Sequence, residues 1–167
     1  MAVSNLNALK SAHAAVGGMS KKAVTSDFSF VIKGFEQFRF LVKQVPWAVL
    51  SHGEPMEIPC ELGLVEWQPT QAKTHLQGAI TMMETEDGMV DNMLISMLMQ
   101  GGEFDAIVYE GTRDKFTRAK RYTKCHTVME PADRDWESRQ QPLLLSGTLY
   151  FHYIGDDIPG NVESLNG

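Results

Sequence analysis

Leu143-Leu144-Leu145-Ser146-Gly147-Thr148-Leu149-Tyr150-Phe151-His152-Tyr153-Ile154 is the stretch that decides the fold. Its odd positions from Leu143 to Tyr153 are apolar or glycine, while Ser146, Thr148 and His152 interrupt the even set. A period of two over this length belongs to a β-strand with one face on a core. Substituting a charge at Leu149 is therefore expected to strike the core face.

The same grammar recurs upstream. Phe28-Ser29-Phe30-Val31-Ile32-Lys33 alternates, Gly34-Phe35-Glu36 is hairpin-sized, and Gln37 to Lys43 alternates again through Phe38, Phe40 and Val42. The expectation is an antiparallel pair, Phe28–Lys33 with Gln37–Lys43. Lys73 to Glu84 reads as a central strand with Leu76, Gly78, Ile80 and Met82 on one face. Phe104–Tyr109 and Tyr122–Met129 are further strands, separated by a turn at Gly111–Lys115. Residues 131–140 read as a polar connection, and everything after Gly155 as a polar tail.

The period changes once. Val90, Met93, Leu94, Met97 and Leu98 follow the i, i+3, i+4, i+7, i+8 spacing of an amphipathic helix, with Asp87 as its expected N-cap and Gly101-Gly102 as its stop. Leu6, Leu9 and Val16 lie along one side of a shorter helical stretch within a leader that ends in Gly17-Gly18 and polar residues. Such a leader is a frayed terminus, or an arm that orders against a neighbouring subunit.

Trp47 to Gln68 contains Pro55 and Pro59, with Pro46 and Pro69 flanking it, so it is not helical. Met56-Glu57-Ile58 and Leu64-Val65-Glu66-Trp67 are candidate short strands of an edge or an extended arm. Trp47, Val49, Leu50, Met56, Ile58, Leu62, Leu64, Val65 and Trp67 make the segment too apolar for a solvated loop. It must fold back on its own core or pack on another chain. These nine residues are the candidate contact set.

The whole chain has 167 residues, 43% hydrophobic and 22% charged, which suits a folded domain with its own core. A net charge of −6 disfavours a dedicated nucleic-acid binder. No apolar run reaches the roughly 18 residues of a membrane span, and the N-terminus lacks signal-peptide order, so a cytosolic site of assembly and no membrane partner are expected. Cys60 and Cys125 are expected as free thiols in a reducing compartment.

Catalytic patterns are missing. There is no phosphate loop and no Gly-x-Ser-x-Gly elbow, and His13, His52, His75, His126 and His152 are scattered in sequence. Cys125 and His126 are strand neighbours that point to opposite faces, which speaks against a shared metal. The acids Glu84, Glu86 and Asp87 precede the helix, where its dipole favours negative charge, and Asp156-Asp157 is simplest as a solvated pair. Met82, Met83, Met89, Met93, Met97 and Met99 read as core filling, with an adaptable contact surface as the alternative. Arg113, Lys115, Arg118, Lys120, Arg121 and Lys124 read as a solvated face, a guarded strand edge or salt-bridge partners for an acidic subunit, ahead of nucleic-acid binding. The expectation is a non-enzyme with no cofactor and no metal.

The order of these elements resembles the tail tube proteins of contractile-tailed bacteriophages, and more distantly the tube protein of type VI secretion. The likeness runs through the paired start at Phe28 and Phe38, the proline-punctuated segment 47–68, Gly78 to Thr85, one helix, two strands, Asp135-Trp136-Glu137 and the closing strand to Tyr153. It implies a mainly β fold: an antiparallel sandwich or barrel with one flanking α-helix, an extended hairpin and an N-terminal arm. Residues 1–26 would be the arm, 27–155 the barrel domain including the hairpin region 47–68, and 156–167 a C-terminal tail. The implied role is a structural subunit whose hexameric rings stack into a virion tail tube. Sheath, tape-measure and baseplate proteins would be its partners, and DNA would pass through it without specific binding. In that reading residues 1–26 and 47–68 make ring-to-ring contacts. A baseplate tube initiator of the same fold, and a small-molecule-binding β-barrel, are the alternatives.

Overall fold

The computed structural model describes residues 5–162, so the first four residues of the leader and the last five of the tail lie outside the described residues. Strands β1 (Phe28–Ile32), β2 (Val42–Gln44), β5 (His75–Met83), β6 (Phe104–Gly111), β7 (Phe116–Met129), β8 (Leu144–His152) and β9 (Asp157–Pro159) form one sheet. Its order is β1-β6-β7-β8-β5-β2, with β9 added to β7, and each pairing is antiparallel. The sheet curls into a nearly closed barrel. Strands β3 (Met56–Pro59) and β4 (Val65–Gln68) form a separate two-stranded hairpin. Helices α1 (Leu6–Gly17) and α2 (Met89–Met99) are the two α-helices among the described residues.

The closing strand behaves as its period requires. Leu149 and Phe151, followed by Tyr153 just beyond β8, are buried, and they join Phe30, Ile32, Ile80, Met82, Val108 and Tyr122 in one core. Strand β5 lies between β8 and β2, a central position. Helix α2 turns Val90, Met93 and Met97 into the same core, so these methionines are filling, whereas Leu98 and Met99 are exposed. The helix ends where expected: Gly101 and Gly102 take positive φ, and the Gly102 amide donates to the Met97 carbonyl at 2.8 Å.

Its start differs from expectation. Gly88, in the left-handed region, holds the cap position, and Asp87 is not the cap. The acceptor comes from the end of β5: Glu84 Oε1 takes the Val90 amide and Oε2 the Asp91 amide, both at 2.9 Å. Partial burial pushes the Glu84 carboxyl up, but the amides of Val90, Thr85 and Asp91 outweigh this and hold it below its ordinary range. The carboxylate thereby joins strand to helix.

The expected β1–β2 hairpin is also corrected. Glu36–Phe40 is a 3₁₀ turn, and β1 and β2 stand at opposite ends of the strand order. Phe35, Phe38 and Leu41 repeat every three residues as well as fitting near an alternation, and that three-residue spacing wins. All three pack on the core, with Phe35 and Phe38 edge to face at 6.1 Å, while Phe40 is 72% exposed. A 3₁₀ turn eclipses residues i and i+3, so it buries this set on one side and carries the chain across the barrel seam.

Strand β7 begins at Phe116, six residues before the expected Tyr122, because its charged positions hide the alternation. At Lys124 (φ 47°) the registers toward both β6 and β8 shift, a bulge that lets this long strand turn the barrel corner. The presumed tail contributes β9, whose Ile158 lies opposite Ala119. Finally, the leader contains a second helix: Asn5 caps α1 by accepting the Ala8 amide at 2.8 Å, and none of its residues is buried.

Candidate assembly interface

A hairpin arm leaves the barrel at Val49 and returns at Thr74. Its two chains are laddered along their length. Lys73 N donates to Ser51 O and Gly53 N to Gln71 O, both at 2.9 Å, and His52 bridges Ala72. Thr70 Oγ1 donates to Glu54 O at 2.8 Å, and the β3–β4 pairing takes over from Met56. At the tip Leu62 has positive φ and is 99% exposed.

The β3–β4 register sorts the side chains by face. Met56 and Ile58 share one face with Gln68 and Glu66; Val65 and Trp67 share the other with Pro59 and Glu57. Apolar groups therefore occupy both faces. Trp67 is 66% exposed, and Met56, Leu62, Leu64 and Val65 are also exposed, with only Ile58 half-buried. A hairpin resting on its own barrel would cover one face. Two apolar faces fit a hairpin inserted between two surfaces.

Of the nine sequence candidates, six lie on this outer arm, and Val49 and Leu50 are exposed at its foot. Trp47 differs. It packs on the core beneath two cations, Arg118 at 5.0 Å and Lys120 at 4.8 Å from its ring. It belongs to the arm's root.

That root is held by Tyr122 and by Lys120, which is buried and not on the solvated face, strand edge or salt bridge expected of the basic set. The Ala48 amide donates to Tyr122 Oη at 2.9 Å, the Tyr122 hydroxyl donates to Pro46 O at 2.7 Å, and Lys120 Nζ donates to Ala48 O. Two side chains of β7 thus satisfy three main-chain groups of one loop, which burial would otherwise leave unpaired. Burial raises the Tyr122 pKa well above its ordinary value, keeping the hydroxyl proton in place to donate. Burial likewise pushes the Lys120 ammonium down, with the Asp157 carboxylate opposing that shift. Tyr122 stacks on Phe151 with centroids 4.3 Å apart, and Gly78 leaves room for Pro46, whose Cβ would stand 2.4 Å from any added Cβ there. The legible signal was parity: Lys120 and Tyr122 share the inward face of their strand.

Tyr122→Phe tests this root. Loss of the hydroxyl leaves the Ala48 amide and the Pro46 carbonyl unpaired, at an expected cost of about 1–3 kcal/mol for a buried group. Denaturant unfolding should show that loss, and hydrogen exchange should show faster exchange at Ala48 than elsewhere in the barrel.

The other sequence candidates resolve simply. Arg118 pairs with Glu110 at 2.6 Å and Arg121 with Asp156 at 3.0 Å, on a strand flanked on both sides, so they guard no edge. Asp157 accepts the Tyr153 hydroxyl, so the Asp156-Asp157 pair is engaged and not merely solvated. Cys60 is an exposed free thiol near the arm tip, and Cys125 is a buried one whose pKa burial pushes up to about 12. Among the described residues no three His, Cys, Asp or Glu side chains converge as a metal cage, and no helix is long and apolar enough to cross a membrane.

Comparison with solved structures finds neighbours of similar fold. A chain in the cryo-EM structure of the anti-feeding prophage cap, a tube terminating cap, superposes with a TM-score of 0.57 at 12% identity, covering 86% of this chain and 95% of that one. A chain of the anti-feeding prophage baseplate, 6-fold symmetrised, gives 0.56 at 14% identity over 86% and 100%. The fold is that of contractile-injection-system components. A third such neighbour comes from the sheath–tube complex of an extracellular contractile injection system, PVC, in its extended state, at 0.52 and 12% identity over 84% and 94%. The tail-component fold thus spans most of the chain, in agreement with the resemblance carried by the order of its elements along the sequence. No family model and no curated protein sequence matches the chain.

Proposed function

We propose that this chain is a structural subunit of a contractile phage tail, forming hexameric rings that stack into the tube through which DNA leaves the virion. The observation that carries the reading is the two-faced arm: Met56 and Ile58 on one side, Val65 and Trp67 on the other, projecting from a filled barrel of the tail-component fold. Burying both faces needs two further surfaces, and copies of the same chain supply them in a stack of rings. The exposed helix α1 adds a second connector, since twelve residues of isolated helix are marginal without a partner. A net charge of −6 suits a conduit that should not retain DNA. Tail sheath, tape-measure and baseplate proteins are the remaining partners in this reading.

The likeness to a baseplate chain favours one second reading, a tube initiator of the same fold. Negative-stain microscopy and sedimentation of the purified chain distinguish them. A tube subunit is expected to give rings that grow into tubes on concentration, and an initiator to stop at single rings. A monodisperse monomer at high concentration would overturn both.

A further inference from the structure

His75 opens β5, His152 closes β8, and the two are direct antiparallel partners. The main-chain bond beside them runs from Tyr153 N to Thr74 O at 3.0 Å. That bond belongs to the Thr74/Tyr153 pair, so His75 and His152 occupy a non-hydrogen-bonded site. Such sites bring opposed Cα atoms to about 4.5 Å and the side chains closest together, on one face of the sheet. Here that face points away from the core, because Leu76 and Phe151, the next pair along, face inward. Both histidines are exposed, and no protein hydrogen bond engages either ring among the described residues.

We propose that His75 and His152 form a two-imidazole chelate for a divalent transition-metal ion of the copper, nickel and zinc class. Imidazole nitrogen suits these ions, and two rings on opposed strands reach one ion while water fills its remaining positions. The bound ion ties the first residue of β5 to the last of β8. Since β5 receives the chain returning from the hairpin arm, the ion staples the arm's return just as Tyr122 and Lys120 hold its exit. His126 lies on the same face but is diagonal to His152 and stacked on Tyr150, with centroids 5.0 Å apart and rings 9° from parallel. Its ring is committed to that stack on Tyr150, so His126 is not a ligand. The chelate lies within one chain and does not depend on the assembly reading.

Titration calorimetry of the full, tag-free chain with nickel(II) or copper(II) chloride tests the site, with thermal melts alongside. The expected result is one ion per chain and a melting temperature that rises with metal, as mass action requires of a ligand for the folded state. His75→Ala and His152→Ala should each abolish the one-to-one isotherm and the metal-dependent rise while leaving the metal-free melt unchanged. His126→Ala should retain both. Binding unaffected by either His75→Ala or His152→Ala, loss of equal size in His126→Ala, or no saturable heat at millimolar metal would overturn the proposal.

Discussion

Leu149→Asp is expected to leave no cooperatively folded barrel. Leu149 has no solvent exposure, faces the core from β8, and lies between Gly78 on β5 and Thr127 on β7. The substitution removes roughly 1.5–3 kcal/mol of apolar burial. It also places a carboxylate where no partner waits, and protonation leaves a buried polar group that still costs about 2–7 kcal/mol. A domain of this size has only about 5–15 kcal/mol in hand. Near-ultraviolet circular dichroism and soluble yield should both collapse, whereas Leu149→Met, a volume-conserving change costing under about 1.5 kcal/mol, should keep both. An unchanged spectrum for the aspartate variant would mean that β8 presents its other face to the core.

Removing the arm is expected to abolish assembly while sparing the barrel. The natural cut is set by the ladder: Ser51 and Lys73 are already joined by a main-chain bond, so residues 52–72 can give way to a two-residue Asn-Gly turn. A shorter excision, His52 to Val65, would strand the rest of β4 without its partner. The full deletion takes away Met56, Ile58, Leu62, Leu64, Val65 and Trp67 but none of the buried core. Its unfolding transition should therefore stay cooperative and near that of the parent, and sedimentation and microscopy should show monomers where the parent shows rings or tubes. Normal tube growth by the shortened chain would remove the arm from the assembly reading.

The parts of the fold legible in sequence are those where one period dominates. β8, β5 and α2 each have a single apolar repeat, and their core faces fall where the repeat puts them. Phe35 to Val42 supports two periods, so local pattern could not choose between a strand and a 3₁₀ turn; the choice follows from which aromatic rings reach the core. The first half of β7 is hidden in the sequence because Arg118, Lys120 and Arg121 look like solvent residues. In a strand paired on both sides, one of them, Lys120, is buried against the arm's root. The cap at Glu84 is illegible for a related reason: its partners lie six and seven residues away across a left-handed glycine.

The candidate interface divides the same way. Prolines and apolar residues between Trp47 and Gln68 marked it as a segment needing cover, because no solvated loop requires such a composition. Yet composition could not place those residues on two faces or remove Trp47 to the barrel, since both depend on the register between β3 and β4 and on Arg118 and Lys120 of β7 meeting the indole.

By itself the sequence determined a β-rich chain with one internal amphipathic helix and a proline-punctuated apolar segment that needs cover, because periodicity and proline placement are local properties of the chain. The tertiary structure decided the strand order, the late strand β9, the Tyr122–Lys120 hold on the arm and the opposition of His75 to His152. Each of these joins residues far apart in sequence, and only long-range strand pairing brings their groups within bonding distance.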